Sequence, residues 1–162
     1  MIEILKFLTL KFDEAPTSYG VLHLIFIALV IASTIVLCKY FKDVTDKTFR
    51  KILLGMWITV TVLEIYKQFT FSYSIENDVI TWDYQWYAFP FQFCSSQLYI
   101  LPFIVFLKDG KVRDGCMSFL QFWSTFAGLA VFAYPNDIFI PQIGINFQTL
   151  IHHGLQVVIG VY

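Results

Sequence analysis

The sequence predicts an all-α fold, a polytopic transmembrane helical bundle. Hydrophobic residues make up 57% of the 162 residues, charged residues only 14%, and the mean hydropathy is +0.65. A soluble domain has roughly a quarter of its residues charged. Long uncharged runs can satisfy their backbone in lipid only as helices, and these runs lack the alternation of a barrel strand. Five membrane segments are recognised: residues 17–41, 50–71, 86–107, 115–134 and 147–162.

Residues 1–16 precede the first membrane segment. They alternate apolar and charged side chains over a length too short to span a bilayer, which is typical of an interfacial amphipathic segment. A partly ordered tail is the alternative. Thr17 and Ser18 are cap residues, so the bundle is expected to occupy residues 17–162.

The connections between segments alternate in charge. Residues 39–51 carry five basic residues against two acids, and residues 108–114 are also basic, whereas residues 72–85 and 135–146 contain no Lys or Arg. Basic residues in short loops mark the cytoplasmic side. We therefore expect a multi-pass cell-membrane protein with an extracytoplasmic N-terminus. Residues 79–82 can form a short strand or a loop.

Charge and motifs exclude several functions. The formal net charge is −1 and the sequence pI is about 6.3, so the chain offers no basic surface for nucleic acid. It contains no dinucleotide, P-loop or zinc-ribbon motif, and no cofactor is predicted. Its three cysteines form no C-x-x-C pair. The expected partners are membrane lipids.

The third membrane segment has a polar middle that a passive anchor does not need. Gln92, Cys94, Ser95 and Gln97 lie within the apolar residues 86–107. Polar groups at membrane depth usually face a protein interior or a cavity. The segment therefore predicts one wall of a buried site.

Counting along the helices places several reactive groups at one depth. With a rise of about 1.5 Å per residue, Cys94 lies roughly 12 Å, and Glu64 and His153 roughly 10 Å, below the outer ends of their helices. His23 lies somewhat shallower on the first helix. These four residues predict a polar pocket in the outer half of the bundle.

The cysteines and the paired histidines each allow more than one interpretation. A free cysteine is usually a small buried hydrophobe, but a thiol beside a histidine can be a nucleophile. Cys38 and Cys116 are expected to be structural. His152 and His153 point about 100° apart on a helix, so only one is expected to face the interior, and the other can lie at the lipid headgroups.

Glu64 carries a charge within the second membrane segment. A carboxylate there costs several kcal/mol unless it is paired or protonated. Lys67, three residues on, is its local partner. A structural ion pair and a catalytic or proton-handling role are both open, and His23 can be either functional or a headgroup-level residue.

Short motifs and single residues in all five segments resemble one family. Residues 86–95, WYAFPFQFCS, resemble the Leu-Pro-Leu-His-Leu-Cys segment of the YwaF-like bacterial integral membrane proteins. Support comes from residues 20–24, Glu64, residues 122–135 and the His153-Gly154 pair. The resemblance covers nearly the whole chain.

The resemblance implies an activity. The YwaF-like family is similar to eukaryotic multi-span acyltransferases that act on phospholipids and, more distantly, to membrane hydrolases of fatty-acid esters. It implies Cys94 as the acyl-accepting nucleophile and His153 as its base. The sequence departs from the family in two ways: Gln92 stands where relatives often have His, and the chain ends within its fifth segment, which predicts a C-terminal truncation.

Three functions follow from these residues. The favoured one is an intramembrane lipid acyltransferase or ester hydrolase acting on an acyl lipid, with Ser95 or Gln97 steadying the oxyanion. The alternative is a proton-coupled small-molecule transporter that uses Glu64 and His153, for which Pro90 would break the third helix.

Zinc binding is the third and least favoured function. His23, Glu64, Cys94 and His153 are suitable ligand types. Because these residues show no short-range ligand spacing, no metal is predicted.

Overall fold

A computed structural model describes residues 2–135 and 138–162, which form six α-helices and one antiparallel β-hairpin. In chain order the elements are α1 Ile2–Leu8, α2 Val21–Tyr40, α3 Asp46–Thr70, β1 Tyr73–Glu76, β2 Val79–Trp82, α4 Ser96–Phe106, α5 Lys111–Ala133 and α6 Ile143–Val161. The mainly helical fold is confirmed. The strand alternative for residues 79–82 is also confirmed.

Within residues 2–135 and 138–162, three helices are long and apolar enough to cross a membrane: α2, α3 and α5. The five predicted membrane segments are therefore not all confirmed. The 19 residues of α6 cover about 28 Å, which is enough to span. Because of its polar side chains, however, α6 is not apolar enough to be a candidate membrane span. Most of its residues are buried inside the bundle.

The predicted continuous helix over residues 86–107 is wrong. Two 3₁₀ turns, Trp86–Ala88 and Phe93–Ser95, lie on either side of Pro90, and only the residues after them form α4. Proline disfavours the helical conformation of the residue before it, and Phe89 is extended at φ −55° and ψ 135°. The 11 residues of α4 cover about 16 Å, roughly half of a bilayer core.

The central helix is α6, which packs against α2, α3 and α5. Two glycines allow α5 and α6 to approach closely. A Cβ atom on Gly128 would lie 2.8 Å from the carbonyl oxygen of His153, and one on Gly160 would lie 2.6 Å from the backbone nitrogen of Thr125. Small residues permit such close helix packing in membranes. Side chains on several faces of α6 are therefore interior.

Helix boundaries differ from the predicted ones for local reasons. Helix α3 begins at Asp46, four residues before the predicted start, because the Thr45 side chain accepts a hydrogen bond from the Thr48 backbone nitrogen at 3.3 Å. Helix α2 begins at Val21 rather than at residue 17. Tyr19 just before it has a φ of 59°, which is incompatible with a right-handed helix.

The N-terminal segment is ordered and helical over α1, where Leu5 is buried. The Tyr66 hydroxyl donates to the Leu8 carbonyl at 2.7 Å, and the Phe12 backbone nitrogen donates to the Pro141 carbonyl at 2.8 Å. The segment thus lies against α3 and the residues leading into α6.

Charged residues bind the C-terminal end of α4. Arg50 donates to the Val105 carbonyl at 3.0 Å, and Arg113 donates to the Ile104 carbonyl at 3.1 Å. Cations at a helix C-terminus satisfy free carbonyls and complement the helix dipole. We call this group the arginine cluster; its members are Asp46, Arg50, Asp109 and Arg113.

Candidate functional site

A cavity of about 260 Å³ lies between α3, the broken segment before α4, the residues leading into α6, and α6 itself. The apolar residues that line it include Phe71, Ile138, Ile140 and Ile145. Its lining also contains six residues that the sequence singled out: Lys67, Gln92, Cys94, Ser95, His152 and His153. The structure therefore brings most of the predicted site residues to one place.

The backbone of Cys94 is held by α6. Its carbonyl oxygen accepts hydrogen bonds from His152 Nε2 at 2.9 Å and from Gln156 Nε2 at 2.6 Å. Its thiol contacts Gln92 Oε1, with 3.5 Å between sulfur and oxygen. Cys94 lies in a 3₁₀ turn before the first residue of α4, so its carbonyl precedes the α-helical hydrogen bonds of α4 and can bond across to α6.

Gln156 also determines which nitrogen of His153 carries the proton. Since Gln156 Nε2 donates to the Cys94 carbonyl, its Oε1 is the atom that faces His153 Nδ1, at 2.6 Å. An amide oxygen only accepts, so His153 Nδ1 must donate. In the neutral ring Nε2 is then unprotonated, which is the form a general base requires.

Both histidines face the interior, so the prediction that only one does so is wrong. His152 is 4% exposed and His153 is 8% exposed, and both line the cavity. The rings still point in different directions, with centroids 5.3 Å apart. Both directions are interior because α6 is surrounded by three other helices.

The predicted pair of Glu64 and Lys67 is present. Lys67 Nζ lies 2.9 Å from Glu64 Oε1, and Gln68 Nε2 donates to the same oxygen at 2.6 Å. Lys67 lines the cavity, whereas Glu64 does not. Tyr84 donates to Gln68 Oε1. Partial burial and the Glu64 charge raise the pKa of Tyr84.

Ser95 and Gln97 are buried beside Cys94 but differ in their contacts. Gln97 Nε2 donates to the His152 carbonyl at 3.2 Å, and Gln97 is not part of the cavity wall. Ser95 lines the cavity, and its hydroxyl has no hydrogen-bond partner within residues 2–135 and 138–162. Of the two predicted oxyanion donors, Ser95 is the better placed.

His23 lies outside the cavity wall. Its Nδ1 accepts a hydrogen bond from the Tyr19 backbone nitrogen at 3.0 Å, and its ring stacks on Phe132 with centroids 5.7 Å apart. In the part of the chain that the structure describes, no group of three or more His, Cys, Asp or Glu side chains could hold a metal ion. The four residues of the zinc hypothesis are not gathered into one site.

Three site residues are not among those predicted from the sequence: Gln148, Thr149 and Gln156. Gln148 and Thr149 line the cavity, and Gln156 bonds both Cys94 and His153. A signal was present: Gln148, His152 and Gln156 recur every four residues, which puts them on one face of a helix. A polar stripe on an otherwise apolar helix indicates a face turned toward the protein interior.

The profile of the TMEM164 family matches residues 18–162. The chain belongs to the TMEM164 family. The matched region contains α2 to α6 and every residue of the cavity wall. This is a transmembrane-protein family, and together with the three apolar helices it identifies an integral membrane protein. No curated protein and no solved structure matches the chain. The YwaF-like resemblance and the likeness to acyltransferases stay predictions.

Proposed function

We propose that this TMEM164-family protein transfers or hydrolyses the acyl group of a membrane lipid through a thioester on Cys94. One observation carries the proposal: Cys94 and His153 line the same cavity, and the bond from His153 Nδ1 to Gln156 leaves Nε2 as a base. Nucleophilic catalysis requires a thiol, a base and a third group that orients the base. Gln156 is that third group.

The proposed reaction has two steps, formation of the Cys94 thioester and its cleavage. His153 Nε2 takes the Cys94 thiol proton, and the thiolate attacks the acyl carbonyl carbon. The Ser95 hydroxyl donates to the oxyanion that forms. The ester C–O bond then breaks, and the leaving alcohol takes the proton from His153. A second alcohol or a water molecule attacks the thioester, which releases the acyl product and restores the thiol.

The character of the cavity supports a lipid substrate. Apolar side chains line the cavity together with the reactive groups. Tyr87 and Gln92, which also line the cavity, are exposed at the surface of the bundle. An acyl ester can therefore reach Cys94 from the membrane. The proposal includes a location in the cell membrane, with the cavity in the outer half of the bilayer.

The proposal is tested with purified protein in lipid nanodiscs and a fluorescent acyl ester. Cys94→Ala should reduce turnover by about a thousandfold, because the nucleophile is removed. Cys116→Ala is the matched control, since Cys116 packs against the apolar core and should leave turnover unchanged. Turnover that survives in Cys94→Ala would contradict the proposal.

The broken segment around Pro90 favours one other function. Helices interrupted near the membrane midplane are typical of transporters. In a proton-coupled transporter, Glu64 and His153 would exchange the protons. Uptake into proteoliposomes that is lost in Glu64→Gln and kept in Cys94→Ala would select transport over catalysis.

A further inference from the structure

Lys67 is the cation of the cavity. Among the described residues of its wall, α3 contributes Lys67, α6 contributes His152 and His153, and the broken segment contributes Tyr87 and Cys94 as titratable groups. Helix α5 and the residues of α4 contribute none. Each histidine ring needs only one proton for its observed hydrogen bond, and both rings are buried. The positive charge of the cavity that contains Cys94 therefore comes from α3.

The ion pair of Lys67 is incompletely satisfied. Glu64 Oε1 accepts from both Lys67 and Gln68, but Glu64 Oε2 is buried with no hydrogen-bond partner within residues 2–135 and 138–162. A buried ion pair offsets its desolvation only with good geometry and further hydrogen bonds. We therefore expect the Glu64–Lys67 ion pair to contribute little to the stability of the fold. The Lys67 side chain is 13% exposed, and Lys67 lines the cavity.

We propose that Lys67 is a positioning residue that stabilises the thiolate form of Cys94, and that Glu64 limits the positive charge Lys67 supplies. This inference rests on the proposed role of Cys94 as the nucleophile. The thiolate is the reactive form, and an apolar wall disfavours it unless a positive charge is near. A neutral His153 can remove the proton but cannot supply that charge.

The test is the pH profile of Cys94 alkylation. Iodoacetamide is an uncharged probe, and its rate follows the thiolate fraction. Protein that carries Cys38→Ser and Cys116→Ser is labelled in nanodiscs from pH 6 to pH 10. Lys67→Gln should move the midpoint up by about one pH unit, which lowers the rate at pH 7 about tenfold. Lys67→Arg should keep the parent midpoint.

Glu64→Gln gives a shift of opposite sign. Removing the carboxylate leaves more positive charge facing the thiol, so the midpoint should move down. A merely structural pair would give both variants the same direction of change. Because Lys67→Gln leaves Glu64 buried without its partner, the double variant Glu64→Gln/Lys67→Gln provides a comparison that lacks both charges. Its midpoint should lie above the parent midpoint but below that of Lys67→Gln, because the opposing Glu64 charge is also gone. Lys51→Gln, at an exposed position on the same helix, should change nothing.

Two results separate this inference from the proposed function. If Cys94→Ala abolishes turnover but the profiles of Lys67→Gln and the double variant coincide with the parent profile, the role of Lys67 is overturned alone. If Cys94→Ala keeps turnover, the proposed function is overturned, and with it the catalytic meaning of any shift in the profile.

Discussion

The arginine cluster and the cavity lie at opposite ends of α3 and α4, and both place polar groups inside an apolar protein. In the arginine cluster, Arg50 and Arg113 each reach two aspartates and at least one carbonyl of α4. Around the cavity, the described contacts leave Glu64 Oε2 and the Ser95 hydroxyl without partners. Complete bonding is typical of a structural role, and an incompletely bonded buried group needs another explanation. The arginine cluster therefore has the bonding of a structural element, whereas the unpartnered groups near the cavity are available to the substrate that we propose.

Arg113→Ala should have the largest effect on stability. It removes the donor to the Ile104 carbonyl and leaves Asp46 and Asp109 with one cation between them. We expect a loss of about 3 kcal/mol in the free energy of unfolding, since the Arg113 side chain is almost fully buried. Thermal unfolding in detergent measures it, with Lys111→Ala at an exposed position as the control.

Arg113→Ala also tests whether the arginine cluster influences the cavity. Folded Arg113→Ala protein should alkylate Cys94 at the parent rate, because the arginine cluster contributes nothing to the cavity wall. A large change in that rate would show that the arginine cluster and the cavity are coupled.

Gln156→Leu should have an intermediate effect on stability and a large effect on turnover. It removes one donor to the Cys94 carbonyl and the acceptor for His153 Nδ1. We expect a loss of about 1 to 2 kcal/mol. Turnover should fall at least about tenfold, because His153 is no longer held in the tautomer that leaves Nε2 free. Gln121→Leu, at an exposed position on α5, is the control. Unchanged turnover would remove Gln156 from the mechanism.

Ser95→Ala should have the smallest effect on stability. Its hydroxyl is buried without a partner in the described part of the chain, so its removal should leave the free energy of unfolding unchanged or slightly higher. Turnover should nevertheless fall about a hundredfold if the hydroxyl donates to the oxyanion. A destabilisation above about 1 kcal/mol would show that the hydroxyl is bonded in the folded protein.

Much of the fold could be predicted because apolar length is a strong signal. Helices α2, α3 and α5 are long uninterrupted runs, and their positions follow from hydropathy alone. The apolar composition of residues 86–107 predicts one continuous helix, but Pro90 interrupts it. Proline chemistry was visible in the sequence and is the better guide there.

The site could be predicted only in part because helix rise gives depth but not direction. Depth counting placed His23, Cys94 and His153 at one level, yet His23 packs against Phe132 rather than the cavity. The bond from Gln156 to the Cys94 carbonyl joins residues 62 positions apart. No local pattern in the sequence reports such a contact, because it depends on how α6 packs in the bundle.

The role of Cys94 as the nucleophile is tested most directly by locating the acyl group on the protein after exposure to a long-chain acyl ester. Peptide mass mapping of protein from nanodiscs should find the acyl mass on Cys94, labile to hydroxylamine, and formed more slowly in His153→Ala. Acyl mass on Cys38 or Cys116 alone, or ester turnover with no acyl group ever on Cys94, would contradict the claim that Cys94 is the nucleophile.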